Sequence, residues 1–496
     1  MKDALGRIER IIDDACLCTN LEELLPASVR ARQLSVRTLL VGILLALSDQ
    51  RPCHLTRVHR ALVSLGEQDR LRLGVTAHWK SGPHTLTYRQ VEHTFSILRR
   101  ALEKDQPDGA CSTRLSDFVD AIVEASIPSE FKNASSSVAA DWSDHESFSR
   151  PPVGPALSCA DKEASWGHRS AGLAKGDLFF GYYFQTISMV RDETGEAIPE
   201  LIRRLVVSTC SLDPPTQLVP VLERMVYSGV VLRDVVCDSG YAHRKAQNWA
   251  LPVRRLGAEL VMDLHPHDRG TRGTHEGAIC FNGTLYCPAT PVALFGIEPL
   301  SRNASTTDTD AHDARCAELA RYKLGRISGP DRDGFERVMC PAVMGKVRCE
   351  ARPESMKLPF SRAQVVKPPE HLPRCCVQQT ITVPAEVNAK TSQKHDYPSK
   401  AHRNSFARRT GVERGYSTLK DRASTDTTRG WCRVMGLCAV TIFLSCAVVV
   451  RNMRITDAYY EREQENSRRA VAGLPPRTRK RRRRTLENLV ASPTGA

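Results

Sequence analysis

Apolar residues recur at helical spacing in two stretches near the start of the chain, RQLSVRTLLVGILLALSDQ from Arg32 and YRQVEHTFSILRRALEKD from Tyr88. Residues 1–110 are therefore expected to form an all-helical domain. Past the polar QPDGACST the pattern changes. SSVAA ahead of Asp141, LFFGYYFQTISMV (178–190), RRLVVSTC (203–210) and VVLRDVVC ahead of Asp238 read as strands, and TQLVPVLERMVYSG (216–229) reads as a helix between them. Strand and helix text in alternation predicts an α/β core. The core is expected in two pieces, 135–265 and 399–455. Between them, residues 266–398 lose periodicity and become rich in Gly, Pro, His, Arg and Cys, the signs of an inserted, loop-rich β unit. Residues 456–496 read as a disordered basic tail, in which RTRKRRRR (477–484) would attract phosphate without sequence preference.

Composition narrows the class. At 496 residues the chain exceeds one ordinary core, taking roughly 150 residues per domain. Its 41% hydrophobic content excludes wholesale disorder, and its net charge of +14 favours a polyanionic partner, most commonly nucleic acid. Arg30, Arg32, Arg37, Arg57 and Arg60 give the helical region basic character that suits either DNA binding or plain helical packing. The 17 cysteines are odd in number and irregularly spaced, and MKDALGRIERIIDDACL is charged and amphipathic, so a reducing cytoplasm is expected. Val434–Val450 is uncharged between two arginines; its length, Gly436 and polar residues favour a buried core helix with solvated arginines at both ends over a membrane span. Cys280, Cys287, Cys340, Cys349, Cys375 and Cys376 fall within one hundred residues. Structural zinc is one reading, but without tight Cys-x2-Cys knuckles buried apolar thiols are favoured.

Three carboxylates stand out. Asp141 and Asp238 each follow an apolar strand, and open α/β sheets place their sites at such strand ends; capping of the next turn is the plainer role for each. Asp144 competes with Asp141, and Asp234 with Asp238. In NSFARRTGVERGYSTLKDR, Phe406, Arg409, Glu413 and Lys420 fall within an arc of roughly 60° on a helix. Thr410 and Glu413 also fit a capping box, with the helix then starting at Gly411. His243 and Arg244 after CDSGY, and Trp166-Gly167-His168-Arg169, suit either DNA contact or packing and solvation.

The pattern F-x2-R-x3-E-x6-K at 406, 409, 413 and 420 resembles the Y-x2-R-x3-E-x6-K signature of DDE transposases of bacterial insertion sequences, with Phe406 in place of Tyr. ADWSDHES, DKEASWGHR, CDSGYAHR and GWCRVMGL extend the resemblance over about 135–455. It implies an RNase H-like mixed sheet flanked by helices, in which Asp141, Asp238 and Glu413 are catalytic and bind two Mg²⁺ (or Mn²⁺), while Arg409, Lys420 and Arg414 bind DNA. It implies double-stranded DNA partners, the terminal inverted repeats and a target, and a homo-oligomer at the bacterial nucleoid with no membrane. The alternatives are a nuclease of the same fold and a noncatalytic DNA-binding relic.

Overall fold

In the computed structural model, which describes residues 2–26, 32–79, 82–152, 158–169, 178–301, 303–359, 363–421 and 425–477, the chain is a mixed α/β protein with a helical N-terminal region. Helix α1 (Val36–Ser48) buries every residue from Val36 to Leu47 except Arg37, which is why its text is apolar on all sides. A Cβ at Gly42 would stand 2.8 Å from Leu62 Cγ, so glycine is what lets the Leu55–Val63 helix approach. The region is not all-helical: Thr76–Trp79 and Gly82–Thr85 pair as an antiparallel hairpin. Of its arginines, Arg32 pairs with Glu22 and Arg37 with Glu9 and Asp13. Arg30 lies outside the described residues.

The central sheet comprises β1 (Ser137–Glu146), β2 (Ser165–His168), β3 (Leu178–Val190), β4 (Ile202–Thr209), β5 (Asp234–Cys237) and β6 (Glu259–Met262). Its order is β4–β3–β1–β5–β6, with β2 pairing β3 beyond β4. β3 runs antiparallel to both β4 and β1, whereas β1, β5 and β6 are parallel. β5 is only four residues long. The expected strand through 230–233 is absent, and Asp234 opens β5 instead of interrupting it.

Helix α2 (Thr113–Ala125) meets β4 through Glu124, which binds Arg203 and Arg204. Helix α3 (Pro214–Tyr227) covers one face of the sheet, its Leu218, Val221, Leu222 and Met225 packing with Val138, Ala140, Val235 and Leu260. Strand alternation turns Ala139 and Asp141 to the other face. There α4 (Lys400–Phe406), a 3₁₀ turn (Ala407–Arg409) and α5 (Thr410–Lys420) form one unbroken helical run. Thr410 is helical and bonds back to Ala407 O at 3.0 Å, so the expected capping box does not form.

Helix α6 (Leu437–Val471) is long and apolar enough to cross a membrane, with mean hydropathy 1.6 in its apolar window, of which 89% is buried inside the protein. The arginine at its apolar segment's end is not solvated. Arg451 is 2% exposed and donates to Glu200 O at 2.9 Å and Thr418 Oγ1 at 3.0 Å. Neighbouring Asn452 reads the edge of β4, accepting from Ile202 N at 3.0 Å and donating to its carbonyl at 2.8 Å.

The insertion carries three small sheets, with strand orders assembled from Thr271–Tyr286, Gly325–Val383 and Arg348–Val366, and, against expectation, the sixteen-residue helix Thr306–Arg321. Residues 1–452 cohere as one compact unit and 453–496 as another. In the latter, Gly473 adopts φ +66° and Arg477 N donates to Asn466 Oδ1 at 3.1 Å. The basic run beyond Arg477 lies outside the described residues.

Candidate active site

Asp141 does not end its strand. β1 runs on for five residues against β3, but its parallel pairing with β5 stops at Ala139. Asp141 therefore stands in the notch where β5 gives out, one step from Asp238, which follows Cys237. Two carboxylates thus meet where the parallel β1–β5 pairing runs out, Asp238 past the carboxyl end of β5 and Asp141 within β1. Each spends one oxygen on the backbone: Asp141 Oδ1 accepts from Trp142 N at 2.8 Å, and Asp238 Oδ1 caps Ser239–Ala242 by accepting from Gly240 N at 2.9 Å and Tyr241 N at 3.4 Å. A Cβ on Gly240 would come 2.3 Å from the Trp142 ring, so this turn needs glycine for its close approach.

The remaining oxygens converge on one cation. Arg409 Nη2 is 3.2 Å from Asp141 Oδ2 and 3.9 Å from Asp238 Oδ2, and its Nη1 is 2.6 Å from Glu413 Oε1. The unbroken helical run makes this possible, since a helix starting at Gly411 would have left Arg409 outside. Phe406 keeps the signature's aromatic place by packing: it stacks on His402 at 5.7 Å, and the Arg409 guanidinium lies 5.8 Å from its ring. Three negative groups face one positive group. Burial pushes Asp141 up to about 7 against the pull of Arg409, with Asp238 and Glu413 adding to the rise; burial also raises Asp238. A set of hard oxygen donors short of positive charge suits a divalent cation such as Mg²⁺ or Mn²⁺.

Lys420, two turns beyond Glu413, donates to Ser143 Oγ and Asp144 Oδ1, both at 2.8 Å. Asp144 is also 3.2 Å from Arg169, and against its burial these cations hold it below the ordinary carboxylate range. It is neutralised where Asp141 is not. Arg414 is turned to Glu200 and meets none of the three carboxylates in an ion pair. Arg244 pairs with Asp213 at 2.6 Å. Trp166 is half exposed on β2, Gly167 lies close against the Phe179 ring, and Arg169 binds Asp144 and Glu146.

Two features escape sequence reasoning. Tyr416 is buried against the sheet, accepting from Thr186 N at 3.0 Å and donating to Asp141 O at 2.5 Å. Asp141 and Thr186 are register partners, so the phenol is wedged into the β1–β3 ladder at the first carboxylate. Its position three residues after Glu413 was the only available signal. The second is His243, His265 and Asp268, whose donor atoms lie within 4.8 Å of one another, although Asp268 is also 2.7 Å from Lys390. HPHD after β6 carries two of these three.

No protein-family model matches the chain, and no curated protein matches it.

Proposed function

We propose that this chain is a DDE-type DNA transposase with an RNase H-like core, cutting phosphodiester bonds at the ends of an insertion sequence and joining the 3′-OH to target DNA. The meeting of Asp141, Asp238 and Glu413 on the Arg409 guanidinium carries the reading, since the three come from positions 97 and 175 residues apart. The sheet order supports it, an antiparallel β4–β3–β1 ribbon leading into parallel β5 and β6.

In this reading Asp141, Asp238 and Glu413 hold two Mg²⁺ (or Mn²⁺) ions, which when bound activate a water or 3′-OH and neutralise charge at the scissile phosphate. The chain's own residues do the rest. Arg409 holds the carboxylates in register before DNA arrives and offers its planar fork to a phosphate. Lys420 supplies a point charge beside it, and Tyr416 fixes the helix to the strand that bears Asp141. Arg414 is a DNA contact only if it leaves Glu200. The protein would act as a homo-oligomer on double-stranded DNA in the bacterial cytoplasm.

The test is a gel assay in Mg²⁺ with end-labelled DNA from the flanks of the gene and a supercoiled target plasmid. We expect cleavage leaving 3′-OH ends and a joined product, both lost in Asp238→Asn while DNA binding persists. Cleavage without joining would make the protein a nuclease. Binding without cleavage by the parent would make it a noncatalytic DNA-binding protein, and unchanged cleavage by Asp238→Asn would remove the site assignment.

A further inference from the structure

Parallel pairing of β5 with β6 sets Cys237 opposite Met262, so the two strands release the chain side by side. From β5 the chain passes through Asp238 and the short helix Ser239–Ala242, whose C-cap is His243. From β6 it passes into His265-Pro266-His267-Asp268, where Pro266 opens a 3₁₀ turn that Asp268 N closes by donating to His265 O at 2.7 Å. Such a bond brings residues i and i+3 beside one another, here His265 and Asp268. An imidazole from the first exit therefore meets an imidazole and a carboxylate from the second. The rings of His243 and His265 stand 4.1 Å apart, and one ligand atom from each of His243, His265 and Asp268 lies within 4.8 Å of the other two.

The spacings within this group suit an ion better than they suit direct bonds. His243 Nδ1 is 3.3 Å from Asp268 Oδ2. A charge-assisted bond between a ring nitrogen and a carboxylate closes to about 2.7–2.9 Å. Donors at about 2.0–2.1 Å from a tetrahedral zinc, by contrast, stand roughly 3.3 Å apart. His265 Nδ1 keeps its lone pair and accepts only a long bond, from His267 N at 3.3 Å. The other carboxylate oxygen is already engaged, since Lys390 Nζ donates to Asp268 Oδ1 at 2.7 Å. That bond fixes the carboxylate with Oδ2 toward the rings, as outer partners orient metal ligands. Arg269 is drawn off to Leu264 O at 2.9 Å and Asp263 Oδ1 at 3.4 Å.

The cysteines of the insertion do not take part. Cys287, Cys340 and Cys349 fill one apolar cluster and Cys280, Cys375 and Cys376 another. We propose that His243, His265 and Asp268 bind a divalent transition ion, zinc in the first place, with a fourth position open to water. Two imidazoles with one carboxylate select zinc and its neighbours over Mg²⁺, which wants oxygen donors throughout. The ion joins the turn capped by Asp238 to the first turn of the insertion, and so stiffens the exit of β5 from outside the three-carboxylate group. Nothing in this assignment depends on the transposase reading.

The test is titration of the full chain, stripped of metal, with Co²⁺ and then Zn²⁺ at neutral pH. Co²⁺ should give the ligand-field bands of a nitrogen and oxygen site without thiolate charge transfer, and Zn²⁺ should displace it. His243→Gln and Asp268→Asn should each weaken binding at least about 10-fold, since even an outer partner of a ligand is worth that much, whereas Asp141→Asn should leave it unchanged. If the site variants do not fold, modification of the parent by an imidazole reagent decides: Zn²⁺ should shield His243 and His265, and equal labelling with and without Zn²⁺ overturns the proposal. Parent protein that takes up no Co²⁺ overturns it too. So does a thiolate band, which places the ion on cysteines, or binding lost in Asp141→Asn and kept in folded His243→Gln, which places it on the carboxylates.

Discussion

Asp234 and Asp238 stand at opposite ends of the same four-residue strand, and the chain treats them in opposite ways. At the amino end, Asp234 is 3% exposed and fully answered: Arg408 at 2.9 Å, Lys394 at 2.8 Å and the Ser137 hydroxyl at 3.2 Å. Glu193 joins the same network through Lys394, His395 and Arg408, and despite partial burial it is drawn down to about 2 by Ser405, His395 and Lys394. At the carboxyl end, Asp238 and Asp141 share one guanidinium with Glu413, and both carboxyls are pushed up. Adjacent arginines divide the labour, Arg408 serving the balanced end and Arg409 the unbalanced one. Charge that is fully paired holds a fold, and charge left in deficit is available for a ligand.

The most damaging change should fall at the balanced end. Arg408→Met leaves Asp234 buried with one cation fewer and should cost about 3–5 kcal/mol in urea denaturation, as breaking a buried pair does. Unchanged stability would erase the contrast between the ends. Asp238→Asn should leave stability nearly intact, because Asn caps a helix as well as Asp. Mg²⁺-dependent cleavage should nevertheless fall at least about 100-fold, since even an outer partner of a metal ligand is worth 10- to 100-fold.

Tyr416→Phe probes the joint between the helix and the sheet. It leaves Thr186 N and Asp141 O without their buried partner, and denaturation should show a loss of about 1–3 kcal/mol.

The smallest expected effect is on pH dependence. Folded Asp141 keeps its proton up to about 7 where the unfolded residue releases it near 3.8, so metal-free stability falls as pH rises through that window. Mg²⁺ binds the ionised form, and its stabilisation should grow across the same window, amounting to a few degrees in thermal melts at low millimolar ion. Asp141→Asn should flatten both trends; a Mg²⁺ effect independent of pH would show that Asp141 is not a ligand.

How far the sequence reveals this arrangement differs by feature. Long uniform text such as LFFGYYFQTISMV is a strand over its whole length because burial on both faces leaves no competing period. VVLRDVVC misleads because apolarity alone does not mark where pairing begins, and β6 pairs only from Asp234 onward. At 410 the local capping signal loses to tertiary contacts: Arg409 and Tyr416 on the sheet, and Arg408 beneath it, hold the chain helical through a position that would otherwise start a helix. The carboxylates were legible by type and spacing. Their shared arginine was legible only as a neighbour on a helical face, and the ladder wedge of Tyr416 not at all, because a sequence does not show which backbone bonds a side chain will replace.

The run from Lys400 to Lys420 also has a consequence for how this chain tolerates insertions and deletions. Each residue added to a helix turns everything after it by about 100°. One residue gained between Arg409 and Glu413 would swing Glu413 off the guanidinium and Tyr416 out of the ladder together, and no neighbouring residue would restore either. Between β6 and Lys400 the chain also passes through loops that join small sheets and the helix Thr306–Arg321, and length added in those loops shifts no helical phase. Length variation should therefore collect in the insertion, while the helix counts its residues like the teeth of a gear.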